Sequence, residues 1–305
     1  MSQKDVFFRK PIKVRICTMQ KFYLSLLVVS TFLLVLTYFF YEPPVKESII
    51  YFPLNERAEF LSAETTIGKP KEKGNSDFII PVKSTSRLSE KAYLRQDITL
   101  LFSNGIFVGK FGKWEKDTDF LEDEARFTLK GGQLLQAISF HYGELHQGKT
   151  ITSAQKMSQD FLYIIPTPMG FTYFRDADSE DETGFQEILD EKLDEAIKRN
   201  VQIAEEQFQL NLENYHIFPL SKLPDFETSP LPSLSKGKTR EVIGQLWEGL
   251  YKNYFLTIKK GDGTTTSPIG STMPIILFSK SKDHLYVIFQ TADGEGIRLI
   301  QKITH

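Results

Sequence analysis

The segment Asp97–Phe111 reads DITLLFSNGIFVGKF, two short apolar runs joined through Asn104-Gly105. A two-residue type I′ hairpin loop needs positive φ at both central positions, which Asn-Gly supplies at little cost. If these two residues form the loop, Phe102 faces Phe107. Ile98, Leu100, Phe102, Phe107 and Phe111 then share one side of the ribbon, because side chains alternate along a strand. That side is expected to be buried, which sets the fold class as one containing antiparallel sheet.

Outward from this hairpin, further short apolar runs bounded by turn formers read as strands. They are Phe78–Val82, Arg126–Lys130, Leu134–Tyr142, Phe161–Ile165 and Phe171–Phe174, with a short helical piece around Ser153–Gln159. At Asp176–Glu182 the pattern changes. Phe185, Ile188, Leu189, Leu193, Ala196, Ile197, Val201, Ala204 and Phe208 recur at steps of three and four, the stripe of a long amphipathic helix. Glu180, Asp181 and Glu182 suit its positive end. Pro219, Pro224, Pro230 and Pro232 mark a connecting loop, after which Val242 to Phe255 form a second amphipathic helix with Thr239 as its expected cap. The two helices are expected to pack together. PIILFS from Pro274, HLYVIFQ from His284 and GIRLIQKI from Gly296 close the chain as three antiparallel strands.

The opposite end of the chain has another character. Phe22–Phe40, FYLSLLVVSTFLLVLTYFF, contains no charge, and as a helix it would cover roughly 28 Å, the thickness of a bilayer core. Every face is apolar, unlike a core helix. Lys4, Arg9, Lys10, Lys13, Arg15 and Lys21 precede it against Asp5 alone, so the positive-inside bias keeps the N-terminus cytoplasmic and the C-terminus extracytoplasmic. The run ends in Tyr38, Phe39, Phe40 and Tyr41, not in small residues suited to signal peptidase. It therefore reads as a retained single-pass anchor.

The expected organisation is a basic cytoplasmic tail (1–21), a transmembrane anchor (22–41), a stalk (42–77), a β-rich part (78–175), and a helical pair with C-terminal strands (176–305). The fold class is α+β: one transmembrane helix followed by an extracytoplasmic domain of antiparallel strands with two amphipathic helices.

After Tyr41 the chain carries 31 basic and 38 acidic residues, a formal charge of −7. Such a surface disfavours nucleic acid and anionic lipid as principal ligands of the outer part. Cys17 is the only cysteine, so no intrachain disulfide exists, and no asparagine beyond the anchor begins an Asn-x-Ser/Thr acceptor. A bacterial envelope protein facing a cell wall fits both absences.

Candidate chemistry is sparse. His141, Glu144 and His146 lie within six residues as candidate metal ligands, yet on a strand the two histidines point to opposite faces. Asp176, Asp178, Glu180 and Glu187 match positions 1, 3, 5 and 12 of a calcium loop, but Asp181 occupies the glycine position, which favours an acidic helix start. Ser153 and Lys156 fit an S-x-x-K pattern that recurs at three other places and lacks its companion motifs. The loop GDGTTTSPIGS, Gly261–Ser271, offers Gly261, Asp262, Gly263, Thr264, Ser267 and Ser271 as a candidate ligand-binding set rich in hydroxyls and backbone donors. Trp114 is a candidate loop aromatic.

No cofactor is implied. With a bilayer anchor and no catalytic constellation, the leading expectation is a binding or regulatory module acting through contacts with an envelope protein partner. A cell-wall-modifying hydrolase built on His141, Glu144, His146 or Ser153 with Lys156 is the alternative. A small-ligand sensor using the Gly261–Ser271 loop is the third.

Overall fold

A computed structural model describes Leu27, Thr31 and residues 49–304 except 75, 76 and 169, so the expected cytoplasmic tail and anchor lie outside the described residues. Residues from Ser48 onward make one compact unit, a sheet-rich α+β fold with antiparallel strands and two helices. Among the described residues no helix is long and apolar enough to cross a membrane.

The larger sheet holds β1 (Phe60–Ile67), β2 (Lys71–Gly74), β3 (Asp77–Ser103), β4 (Ile106–Lys130), β5 (Gln133–Gln147), β6 (Thr150–Thr167) and β7 (Gly170–Phe174). Its order is β1-β3-β5-β6-β7, with β2 and β4 also paired to β3, and every pairing is antiparallel. The helical piece expected over Ser153–Gln159 and the stalk expected over 42–77 are both replaced by strands. Ser153–Gln159 is the middle of β6, held by continuous pairing with β5, and the stretch read as stalk contributes β1 and β2 and buries Ile49 and Ala58.

Asn104 (φ 49°) and Gly105 (φ 74°) form the hairpin loop, and Phe102 does face Phe107. Next to the loop, however, Leu101 pairs with Gly109 and Phe102 with Phe107, so Val108 is an extra residue that flips the alternation of β4. Ile98, Leu100, Phe102 and Phe107 stay together, but Phe111 joins the opposite face with Val108, against Leu101 and Ile80. A larger irregularity at 88–91 does the same to β3. The interior that holds Asp97 takes even-numbered residues before it (Phe78, Ile80, Val82, Ser84, Ser86) and odd-numbered ones after it (Arg95, Asp97, Thr99, Leu101), while Ile98, Leu100 and Phe102 are buried on the other face. One interior is thus lined by both halves of a single strand, and the sheet folds over until β1 meets β6 through side chains. Ile67 N donates to Asp160 Oδ2 at 2.7 Å, and the Thr65 and Ser158 hydroxyls lie 2.6 Å apart.

The second sheet has the order β13-β12-β11-β8, comprising β8 (Tyr215–Pro219), β11 (Ile275–Ser279), β12 (His284–Gln290) and β13 (Gly296–Lys302). The three C-terminal strands fall where the alternation predicts; β8, inside the proline-rich connection, was not expected. β9 (Ile258–Lys259) and β10 (Thr265–Thr266) form a small ribbon.

Helix α1 (Glu180–Gln202) is capped by Ser179 and continues as a π turn to Gln207; helix α2 (Lys236–Leu250) continues as another π turn to Leu256. The cap of α2 is Ser235, which accepts from Lys238 N at 3.2 Å. Thr239 is already one turn inside, buried, and accepts from Leu231 N instead. The expected helix pair is replaced by helix-on-sheet packing. Helix α2 lies between the two sheets, where Trp247 stacks on Phe140 with ring centroids 5.0 Å apart and packs with Ile276 and Val287. Helix α1 presents Leu189 to Tyr163 and Phe174, and Ile197, Val201 and Ala204 to Ile275 and Ile288.

Candidate functional site

The odd face of β5 and the folded-over β3 enclose a chain of polar groups that the sequence reading touched only at His141. His141 is 0% exposed. Its Nδ1 lies 2.8 Å from Asp97 Oδ2 and its Nε2 lies 2.7 Å from Ser158 Oγ. The carboxylate accepts from Nδ1, and Nε2 shares a hydrogen bond with the Ser158 hydroxyl. Beyond Ser158 the chain runs through Thr65 to Ser139 (2.6 Å) and Thr99 (2.8 Å). On the other side Ser86 donates to Asp97, and Arg95, also 0% exposed, donates to the Ser86 hydroxyl and to the carbonyls of Tyr142 and Asp119. Its guanidinium stands 4.8 Å from the Phe60 ring and 3.5 Å from Asp97. Burial lowers the arginine's affinity for its proton, with Asp97 opposing that loss.

The other sequence candidates are not gathered with His141. Glu144 and His146, bonded to each other, occupy the opposite face of β5, and His146 stacks on Tyr93 at 3.9 Å. Ser153 is buried and donates to Phe52 O, while Lys156 pairs with Glu227 at 3.7 Å, so hydroxyl and amine serve different neighbours. Ser179 Oγ accepts from Glu182 N and Glu182 returns to Asp178 N, which makes the acidic stretch of Asp176, Asp178, Glu180 and Glu187 the start of α1. Among the described residues no group of three His, Cys, Asp or Glu side chains could hold a metal ion. Trp114 is half-buried on β4 opposite Gln96.

The Gly261–Ser271 loop is clasped on itself. Asp262 accepts from the backbone and hydroxyl of Thr264, Gly261 N donates to Glu295, Ser267 accepts from Ile269 N, and Gly263 (φ 86°) turns the chain. Lys260 bridges Asp293 and Glu295. Ser271 is buried, bonded to Pro268 O and the Tyr254 hydroxyl, and its carbonyl accepts from Phe107 N, so it joins the hairpin to the second sheet.

What the sequence did not indicate is an open cleft of about 230 Å³ between α2 and the last two strands. Leu246, Gly249, Val287, Leu299 and Gln301 line it, and the Glu248–Lys252 ion pair stands at its rim. A Cβ added at Gly249 would meet nothing within 4 Å. Gln301 donates to Val242 O, while its buried Oε1 has no hydrogen-bond partner among the described residues.

Beside the cleft, β13 is the terminal strand of its sheet. Ile303 N donates to Asp283 O and Thr291 N donates to Glu295 O, which fixes the odd positions of β13 as those bonded to β12. The backbone groups of Arg298, Ile300 and Lys302 consequently point away from the sheet. Ile300 is 58% exposed.

No protein-family model matches the chain, and neither a curated protein nor a solved structure is similar to it.

Proposed function

We propose that the protein is a single-pass envelope protein, anchored through Phe22–Phe40 with its N-terminus cytoplasmic, whose folded part binds another envelope protein along β13. The anchor rests on the uncharged run and the basic residues before it. The observation that carries the binding reading is the β13 edge, unpaired among the described residues and lying beside an apolar cleft, since an open strand edge is a template for a partner's strand and the cleft can receive its side chains. A photo-crosslinking amino acid at Ile300, used in intact cells, should capture a discrete protein, whereas the same group at exposed Lys280 should not. Equal or empty capture at both positions sinks the reading. A reporter fused after His305 should be active only outside the cytoplasm.

One observation favours a second reading, a hydrolase. The Ser158–His141–Asp97 spacings of 2.7 and 2.8 Å are those of a nucleophile, its base and the orienting acid. Ser158 is half-buried at the β1–β6 seam. In this reading the hydroxyl attacks an acyl carbon as His141 Nε2 takes its proton; the imidazolium returns that proton to the leaving group as its bond to the acyl carbon breaks, and water then hydrolyses the Ser158 ester. A fluorophosphonate probe should then label Ser158, and Ser158→Ala should abolish the label; an unlabelled wild-type chain rejects it.

A further inference from the structure

The geometry points to the chemistry of the segment that docks on β13: an extended strand carrying carboxylates at alternate positions on one face and apolar side chains on the other. This rests on the edge-binding reading above and specifies its partner.

The outward-pointing positions Arg298, Ile300 and Lys302 also share one side-chain face, two cations flanking an exposed isoleucine. Arg298 lies 4.9 Å from the Phe208 ring and 5.4 Å from the Tyr286 ring, and neither cation is in an ion pair among the described residues. Cross-strand neighbours of opposite charge stabilise a pair, and like charges oppose it. A second copy pairing antiparallel about Ile300 would set Arg298 against Lys302 twice, so the edge repels its own kind. A strand with acidic residues opposite Arg298 and Lys302 meets no such repulsion. Its intervening residues, opposite Leu299 and Gln301, turn to the other face, where the cleft against α2 offers Leu246, Val287 and Leu299.

The probe is the fluorescein-labelled peptide Asp-Leu-Val-Leu-Asp, palindromic so that both strand directions are sampled, against Lys-Leu-Val-Leu-Lys. Anisotropy with the purified full-length chain should show saturable binding of the acidic peptide and about tenfold or weaker binding of the basic one. Ile300→Pro removes an N–H that points outward, so it should abolish binding while leaving the thermal transition in place. Gly249→Leu should weaken binding about tenfold by filling the cleft. Arg298→Glu with Lys302→Glu should reverse the peptide preference. Equal binding of both peptides, or acidic-peptide binding that survives Ile300→Pro, overturns the inference. Basic-peptide binding lost in Ile300→Pro overturns only the acidic chemistry and leaves edge docking standing. No binding of either peptide alongside protein capture at Ile300 has the same consequence, and concentration-dependent dimers broken by Ile300→Pro would replace the partner with a second copy.

Discussion

Arg95 is the residue whose removal should cost most for its size. Its guanidinium is sealed between the Phe60 ring and the Asp97 carboxylate, and it satisfies two backbone carbonyls. Arg95→Met leaves Asp97 buried with its cationic neighbour gone, a change expected to cost about 3–5 kcal/mol in urea unfolding. Arg95→Met combined with Asp97→Asn should recover much of that loss, because no buried charge then lacks its partner. A surface carboxylate behaves differently. Lys260 and Thr291 hold Asp293 down at about 2, below the usual aspartate value near 3.9. A depressed folded-state value means that the contribution is present above about pH 4 and is lost as pH falls toward about 2. Asp293→Asn should therefore lower the melting temperature modestly at pH 7 and flatten its decline between these values. The polar chain through His141 was legible only in part. Parity on a strand separates His141 from His146 correctly, but Asp97 and Ser158 stand 44 and 17 residues from His141 and meet it only through the registers of β3, β5 and β6.

At the level of elements, the Asn-Gly hairpin was legible because its signal is local, while Phe111 was misplaced because a bulge leaves no mark in composition. The length of β4 was hidden for a related reason. KWEKDTDFLEDEAR pairs with β3 almost throughout, yet only Leu121 within it is buried, so charge masks strand character. Helix partners were misread since an apolar stripe states that a face is covered, not by what. Two glycines test the local argument in opposite directions. Gly105 has φ 74°, and a Cβ there would stand 2.8 Å from Ala196 Cβ, so Gly105→Ala should destabilise by about 1–3 kcal/mol and loosen α1 from the hairpin. Gly249 lies inside α2 with open space around it, so Gly249→Ala should stabilise by about 0.4–1 kcal/mol. Urea midpoints shifted in the same direction for both would contradict the turn and helix assignments.

For the whole molecule the decisive arrangement is the core shared by the two sheets. Ile98, Phe102 and Phe140 of the larger sheet, Trp247 and Tyr254 from α2 and its π turn, and Ile276, Phe278 and Phe289 of the smaller sheet belong to one apolar cluster. Trp247 also donates from Nε1 to the Met157 sulfur at 3.0 Å, and Gln96 donates to the Tyr251 hydroxyl at 3.1 Å, so polar bonds cross the same junction. Neither sheet can lose α2 without exposing its inner face, and the chain from Ser48 should unfold as one unit although its sequence changes regime at Asp176. A fragment starting at Ser48, with Trp114→Phe so that Trp247 alone fluoresces, offers two independent reports. Fluorescence follows the junction, and far-ultraviolet circular dichroism follows both sheets. The two urea curves should coincide, and Trp247→Ala should shift the dichroism midpoint by an amount equivalent to about 3–5 kcal/mol without splitting it. Separated transitions, or a Trp247→Ala variant that melts one sheet and spares the other, would show two independently stable halves, and docking at β13 could then report nothing to the sheet that carries His141.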